Sequence, residues 1–307
     1  MRNHVAMTDE DLRGGELGVE PWWAPPPGML KVNMAPRGDG APWQLRGAWA
    51  KWERAVEHLS ALEQEGRRWL ATPAFDIVVT FDPARAAHIA TFVVNERAPA
   101  RLGAIAGDCF QNLRSSLDLL AWELAHRHWA GEAPRDERIL RRVHFPISPV
   151  NADPDEFSKQ ELLSYFGSDV AARMVRYQWF ERDRGAEPLR LLHAVSNVDK
   201  HRLLLTAVAA CQLGNTRYDW EPPARRASVE LLLKDGETYD DGTEITLIQF
   251  ADDAYPDTVI SVTHRPTAEL RFTFGAGQFG PMTIAGCVWR VREILVSFED
   301  FFATDRR

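Results

Sequence analysis

Apolar positions recur along this chain with two periods, and where one period gives way to the other an element ends. Trp49, Trp52, Val56, Leu59 and Leu62 step by three and four, which predicts a first helix over 43–71 with these side chains on one face. Two runs rich in β-branched residues follow, at 75–81 and 88–94, joined around Asp82-Pro83, and they predict a hairpin. Ala106, Phe110, Leu113, Leu117, Leu120 and Leu124 then advance in alternating steps of four and three, the signature of a packing seam on a helix over 98–129. Gly131 and Pro134 stop that helix. Residues 131–155, with Pro134, Pro146, Pro149 and Pro154, read as a loop, and one or two short helices fill 156–180.

A helix over 187–200 opens at Glu187-Pro188, because proline in a first turn has no N–H to waste. It carries Leu189, Leu192, Val195 and Val198. Strand patterns then dominate, at 203–211, 228–233, 245–250, 259–263 and 270–274, separated by turn pairs such as Asp235-Gly236 and Asp241-Gly242. Links this short predict antiparallel pairing, since parallel strands need long crossovers. A last helix over 281–303 repeats the seam with Ile284, Val288, Val291, Leu295, Phe298 and Phe302. The expected fold is therefore α+β: a bundle of four or more long helices packed with a mainly antiparallel sheet. Its segments are an extended or disordered tail at 1–42, a helical core at 43–202 that includes the hairpin, a strand region at 203–275, and a closing helix at 280–303. In the tail, Gly14-Gly15, Pro25-Pro26-Pro27-Gly28 and Pro36 oppose regular structure, while Trp22 and Trp23 suit a strap laid on the body.

Composition narrows the class. With 36 basic and 44 acidic residues the formal charge is −8, which opposes a broad, unspecific grip on nucleic acid. No segment resembles a signal peptide or approaches the ~20 apolar residues of a membrane span, so a cytoplasmic chain with no membrane partner is expected. Cys109, Cys211 and Cys287 are far apart and lack metal or redox spacing, so they read as buried apolar side chains. Local basic spots occur at Arg138, Arg141 and Arg142 and at Arg225-Arg226.

Four patterns bear on chemistry. Gly275-Ala276-Gly277-Gln278-Phe279-Gly280 fits G-x-G-x-x-G, but a single helix follows it, so no βαβ unit can form and the segment reads as a flexible strand-to-helix turn before Pro281. On the 98–129 helix, Gln111, Asn112, Arg114, Ser115, Asp118 and Glu123 flank the seam, with Arg114 and Asp118 spaced for an ion pair. Asn197-Val198-Asp199-Lys200-His201-Arg202 places ionisable groups where a helix hands over to an apolar strand. His144 stands in Val143-His144-Phe145-Pro146-Ile147. His126 and His128, two apart, point to different sides of their helix, and no metal or cofactor is expected. The two ionic stretches are expected to meet in space.

With its Asn112-Leu113-Arg114-Ser115-Ser116-Leu117-Asp118 helix, His144-Phe145-Pro146-Ile147 and Asn197-Val198-Asp199-Lys200-His201-Arg202, the chain resembles a group of uncharacterised bacterial proteins over roughly residues 100–205. More remotely, the helical part resembles the HEPN superfamily of helical bundles, many of them RNases or partners in toxin–antitoxin and phage-defence systems. That resemblance implies an R-x(4–6)-H site, often used across a homodimer. Arg138 to His144 has this spacing but lies in a proline-flanked loop, and Arg114 has no histidine at that distance.

These readings give a first expectation: a non-catalytic binding or structural protein with a buried network of Arg114, Asp118, Asp199, His201 and Arg202, assisted by Asn112, Asn197 and Lys200. The alternative is a HEPN-like RNase acting on RNA, with His201 or His144 as general acid–base and Arg114 or Arg202 stabilising phosphate charge. A second alternative is a small-molecule enzyme with a pocket between bundle and sheet.

Overall fold

The computed structural model describes residues 40–130, 136–148, 153–178, 187–199, 205–212, 217–221, 226–232, 241–251, 258–264, 267–274 and 277–305. The fold is α+β, and the chain divides into two compact units. One, largely of strands, comprises described residues within 67–98 and 207–271; the other, largely helical, comprises those within 40–66, 99–206 and 272–305.

In the helical unit, α1 (Arg46–Leu70) follows a short 3-10 turn at Trp43–Leu45. Trp49, Trp52, Leu59 and Leu62 are buried as the stripe requires, but Val56 is only half-buried and Ala55 takes the inward position. α2 (Ala100–His128) buries its whole seam, from Ala106 to Leu124, with no more than 1% exposure at any of the six positions. Shortening one of these leucines to alanine, as in Leu113→Ala, would cost about 2–5 kcal/mol through lost contacts and the cavity left behind. The helix stops at Trp129, whose backbone N–H closes onto Ala125 and Arg127, and Ala130 turns away at φ 53°.

Short pieces follow. α3 (Glu137–Leu140) is capped by Asp136, and α4 (Pro154–Ser158) by Asp153, whose side chain accepts from the N–H groups of Asp155 and Glu156. α3 falls inside the stretch expected to be a loop; its four residues, none of them buried, carry no apolar period to announce it. α5 is Ser168–Arg176, α6 is Glu187–Asp199, and α7, Pro281–Phe298, starts on its proline as expected. Helices α2, α6 and α7 pack on one another. Two side-chain bonds to distant carbonyls lock α1 to them: Trp52 Nε1 donates to Val288 O at 2.8 Å, and Ser116 Oγ donates to Ala48 O at 2.8 Å.

In the strand unit, β1 (Phe75–Asp82) and β2 (Ala87–Val94) form the expected hairpin; Asp82 accepts from the N–H of Ala84 in the turn. The chain's remaining strands are β3 (Leu205–Gln212), β4 (Arg217–Glu221), β5 (Ala227–Leu231), β6 (Thr243–Phe250), β7 (Val259–His264), β8 (Thr267–Phe274) and β9 (Gly277–Phe279). One sheet has the order β1-β2-β6-β5, all antiparallel, so the hairpin grouped by sequence with the helices joins the later strands. β4 pairs with β7, and β3, β8 and β9 form a third sheet. Tyr218 of β4 meets Thr246 of β6 hydroxyl to hydroxyl at 2.8 Å, and Trp220 sets its edge on Phe250, which ties two sheets of this unit together.

The glycine-rich segment departs from expectation. Gly277–Phe279 is a strand, paired antiparallel to β8 with Phe272 opposite Phe279. Phe279 is buried, stacked on Phe272 and edge-on to Phe110 of α2. Burial of that ring, worth about 1.5–3 kcal/mol, anchors a segment whose glycines favour no strand by themselves.

Candidate functional site

The seam of α2 faces inward, so residues flanking it emerge at the border of the core. Arg114 and Asp118, one turn apart, do so together. Arg114 donates from Nε to Asp118 Oδ2 at 3.1 Å and lies 2.9 Å through Nη2 from Oδ1. The pair does not stop at itself. Arg114 Nη2 donates to Phe145 O at 3.0 Å, and Asp118 Oδ1 accepts the N–H of Phe145 at 3.0 Å. An acid and a base thus read both backbone groups of one residue, as a neighbouring strand would. Phe145 fills the core at 0% exposure.

Gln178 repeats this action two residues along. Its Oε1 accepts from Ser148 N at 2.8 Å, and its Nε2 donates to Pro146 O at 2.9 Å and to Met174 O at 3.0 Å. Residues 144–148 have no helix or strand of their own. Buried backbone polar groups must be paired, and here side chains of α2 and of the α5 exit supply the partners. Nothing in sequence singled out Gln178, because a lone glutamine carries no period and no motif.

His144, next to Phe145, is exposed and has Arg114 and Asp118 as its charged neighbours. Partial desolvation and the Arg114 guanidinium hold its pKa below the ordinary histidine value; Asp118 and a hydrogen bond to the Arg142 backbone oppose that shift. Arg114 is 14% exposed, and its Nη1 is buried with no hydrogen-bond partner among the described residues. The structure therefore brings Arg114, Asp118 and His144 together.

Other expected members fall elsewhere. Asn112 turns back to donate to Asp108 O within its own helix. Gln111 donates to Ser196 O at 3.2 Å, which holds α2 beside α6 three residues before Asp199. The side chains of Asn197 and Asp199, together with Lys200, His201 and Arg202, lie outside the described residues, as do residues 1–39, Arg225 and Gly275-Ala276. Arg138 is exposed on α3, and the neighbouring Arg141 and Arg142 pair at the surface with Glu137 and Glu161. Such exposed pairs contribute at most about 1 kcal/mol.

Cys109 donates from Sγ to Ala55 O, and Cys287 to Pro188 O. Burial drives the Cys109 thiol far above its ordinary value, so it stays protonated and unreactive. The side chain of Cys211 lies outside the described residues. No group of His, Cys, Asp or Glu among the described residues has the arrangement of a metal site, and no described helix is long and apolar enough to cross a membrane. His126 stacks along Trp122 while His128 packs on Gly167; although they leave the helix on different sides, both border one open cleft with Glu123.

No protein-family profile matches this chain, and neither a curated protein nor a solved structure matches it significantly.

Proposed function

We propose that this is a non-catalytic binding or structural protein of the cytoplasm, built on a HEPN-like bundle, in which the Arg114–Asp118 pair is a structural clamp. One observation carries this reading: both carboxylate oxygens of Asp118 are engaged, Oδ1 by Phe145 N–H and Arg114, Oδ2 by Arg114. A carboxylate so occupied has little capacity left to take a proton from a substrate, whereas it holds an irregular segment on the core at two backbone groups.

A second reading draws on Arg114, whose charge acts on the exposed His144. A guanidinium donor next to a histidine whose neutral form is favoured suits phosphate binding and proton abstraction, the chemistry of an RNase working alone or as a homodimer. Incubating the purified protein with a mixed single-stranded RNA separates the two. Intact RNA, together with loss of thermal stability in Arg114→Gln and Asp118→Asn, supports the clamp. Cleavage abolished by His144→Ala, in a variant that melts like wild type, moves the assignment to the RNase.

A further inference from the structure

Away from Arg114, the helical unit holds an open cleft of about 790 Å³. Its walls come from four elements: the 3-10 turn before α1, the C-terminal turns of α2, the start of α5 and the 3-10 segment at Glu299–Asp305. We propose that this cleft binds an organic cation, a ligand bearing an ammonium or guanidinium group on a small apolar body, with Trp43 and Glu123 as its recognition residues.

Trp43 stands at the cleft 64% exposed, the one aromatic residue among the large apolar side chains left exposed in the described residues. An indole face of this kind attracts a cation, with a gain that grows as the cation loses water. Glu123 is half-buried, accepts no hydrogen bond from a described residue, and has its carboxyl pKa raised by desolvation. His126 offsets only part of that desolvation, and a cationic ligand would offset more of it.

The charges around it set the sign. The α2 wall presents Glu123, His126, Arg127 and His128, and the α5 wall presents Asp169; the two remaining walls contribute Trp43, Gln44, Phe301 and Phe302, none of them ionisable. Two acids against Arg127 leave one net negative charge. Both imidazoles are already packed, His126 on Trp122 and His128 on Gly167.

Calorimetric titration of the 307-residue chain with benzylammonium, and with benzoate as the anionic counterpart at the same ionic strength, tests this. Saturable benzylammonium binding is expected at millimolar concentration, weaker by at least tenfold in Glu123→Gln and in Trp43→Ala; benzoate should give no saturable heat. Val259→Ala, which changes an exposed residue of the strand unit, serves as the unaffected control. Equal or tighter binding of benzoate, no saturable binding of the cation, or unchanged affinity in a folded Glu123→Gln variant would each overturn the proposal. None of Arg114, Asp118 and His144 lines the cleft, so its failure would leave the clamp reading untouched.

Discussion

Asp118 accepts the backbone N–H of Phe145 at 3.0 Å across 27 residues of chain, so a carboxylate on one helix carries a segment that has no secondary structure of its own. Gln178 carries the same segment from its other end. Because both side chains hold one strap, their losses must be coupled. Asp118→Ala, which also orphans the largely buried Arg114, should cost about 2 kcal/mol, and Gln178→Ala a similar amount. The double variant should cost less than the sum by about 0.5–1 kcal/mol, since the second loss acts on a strap already released. Urea unfolding of the four proteins measures this, and strict additivity would show that the two contacts act independently.

His144 gives a dependence on pH. Its folded pKa lies below the ordinary 6.5, so just under that pH the unfolded chain takes up a proton that the folded chain does not. This contribution is therefore present above 6.5 and lost as pH falls through the folded value. His58, lowered by burial first and by Arg54 second, adds a shift of the same sign. Glu123, raised by burial, works oppositely and at lower pH: its contribution is full below 4.5 and is lost as pH rises through the folded value. The difference between wild type and His144→Gln isolates one group. Melting temperatures should diverge from a common offset as pH drops below ~6.5, with wild type losing more; parallel curves would contradict the shift.

Gly167 precedes α5 at φ 75° and ψ 160°, a region that only glycine occupies at low cost. A Cβ there would also come within 2.9 Å of His128 Nδ1. Gly167→Ala should destabilise by about 1–3 kcal/mol through the backbone term alone, with the clash adding to it. Adding His128→Ala removes the clash and restores only part of the loss. Full recovery in the double variant would show that contact, not backbone conformation, keeps glycine at this position.

Within the strand unit, Tyr218 and Thr246 satisfy each other's hydroxyls in a site where Thr246 is 0% exposed. Either Tyr218→Phe or Thr246→Val alone leaves a buried hydroxyl unpaired and should cost about 1–3 kcal/mol. Both together remove the polar pair without changing shape and should restore most of the stability. Thermal melts of the three variants read this directly, and losses that simply add would mean the hydroxyls find other partners.

What the sequence determined alone is the part governed by repetition. The α2 and α7 seams and most strands were legible because a stripe of large apolar side chains at helical or alternating spacing has to be buried. The Arg114–Asp118 spacing was legible for the same reason, as geometry within one helix. Tertiary structure decided the rest. β4 is only five residues long, and Gly277–Phe279 only three; the first is a strand because the distant β7 accepts it, and the second because it folds back on the neighbouring β8 and is anchored by the distant Phe110. The hairpin's place in a sheet with β6 depends on strand order, which no local pattern encodes. The partner of Arg114 and Asp118 is a pair of backbone groups at Phe145, identical in kind along the chain, and only folding selects which residue presents them.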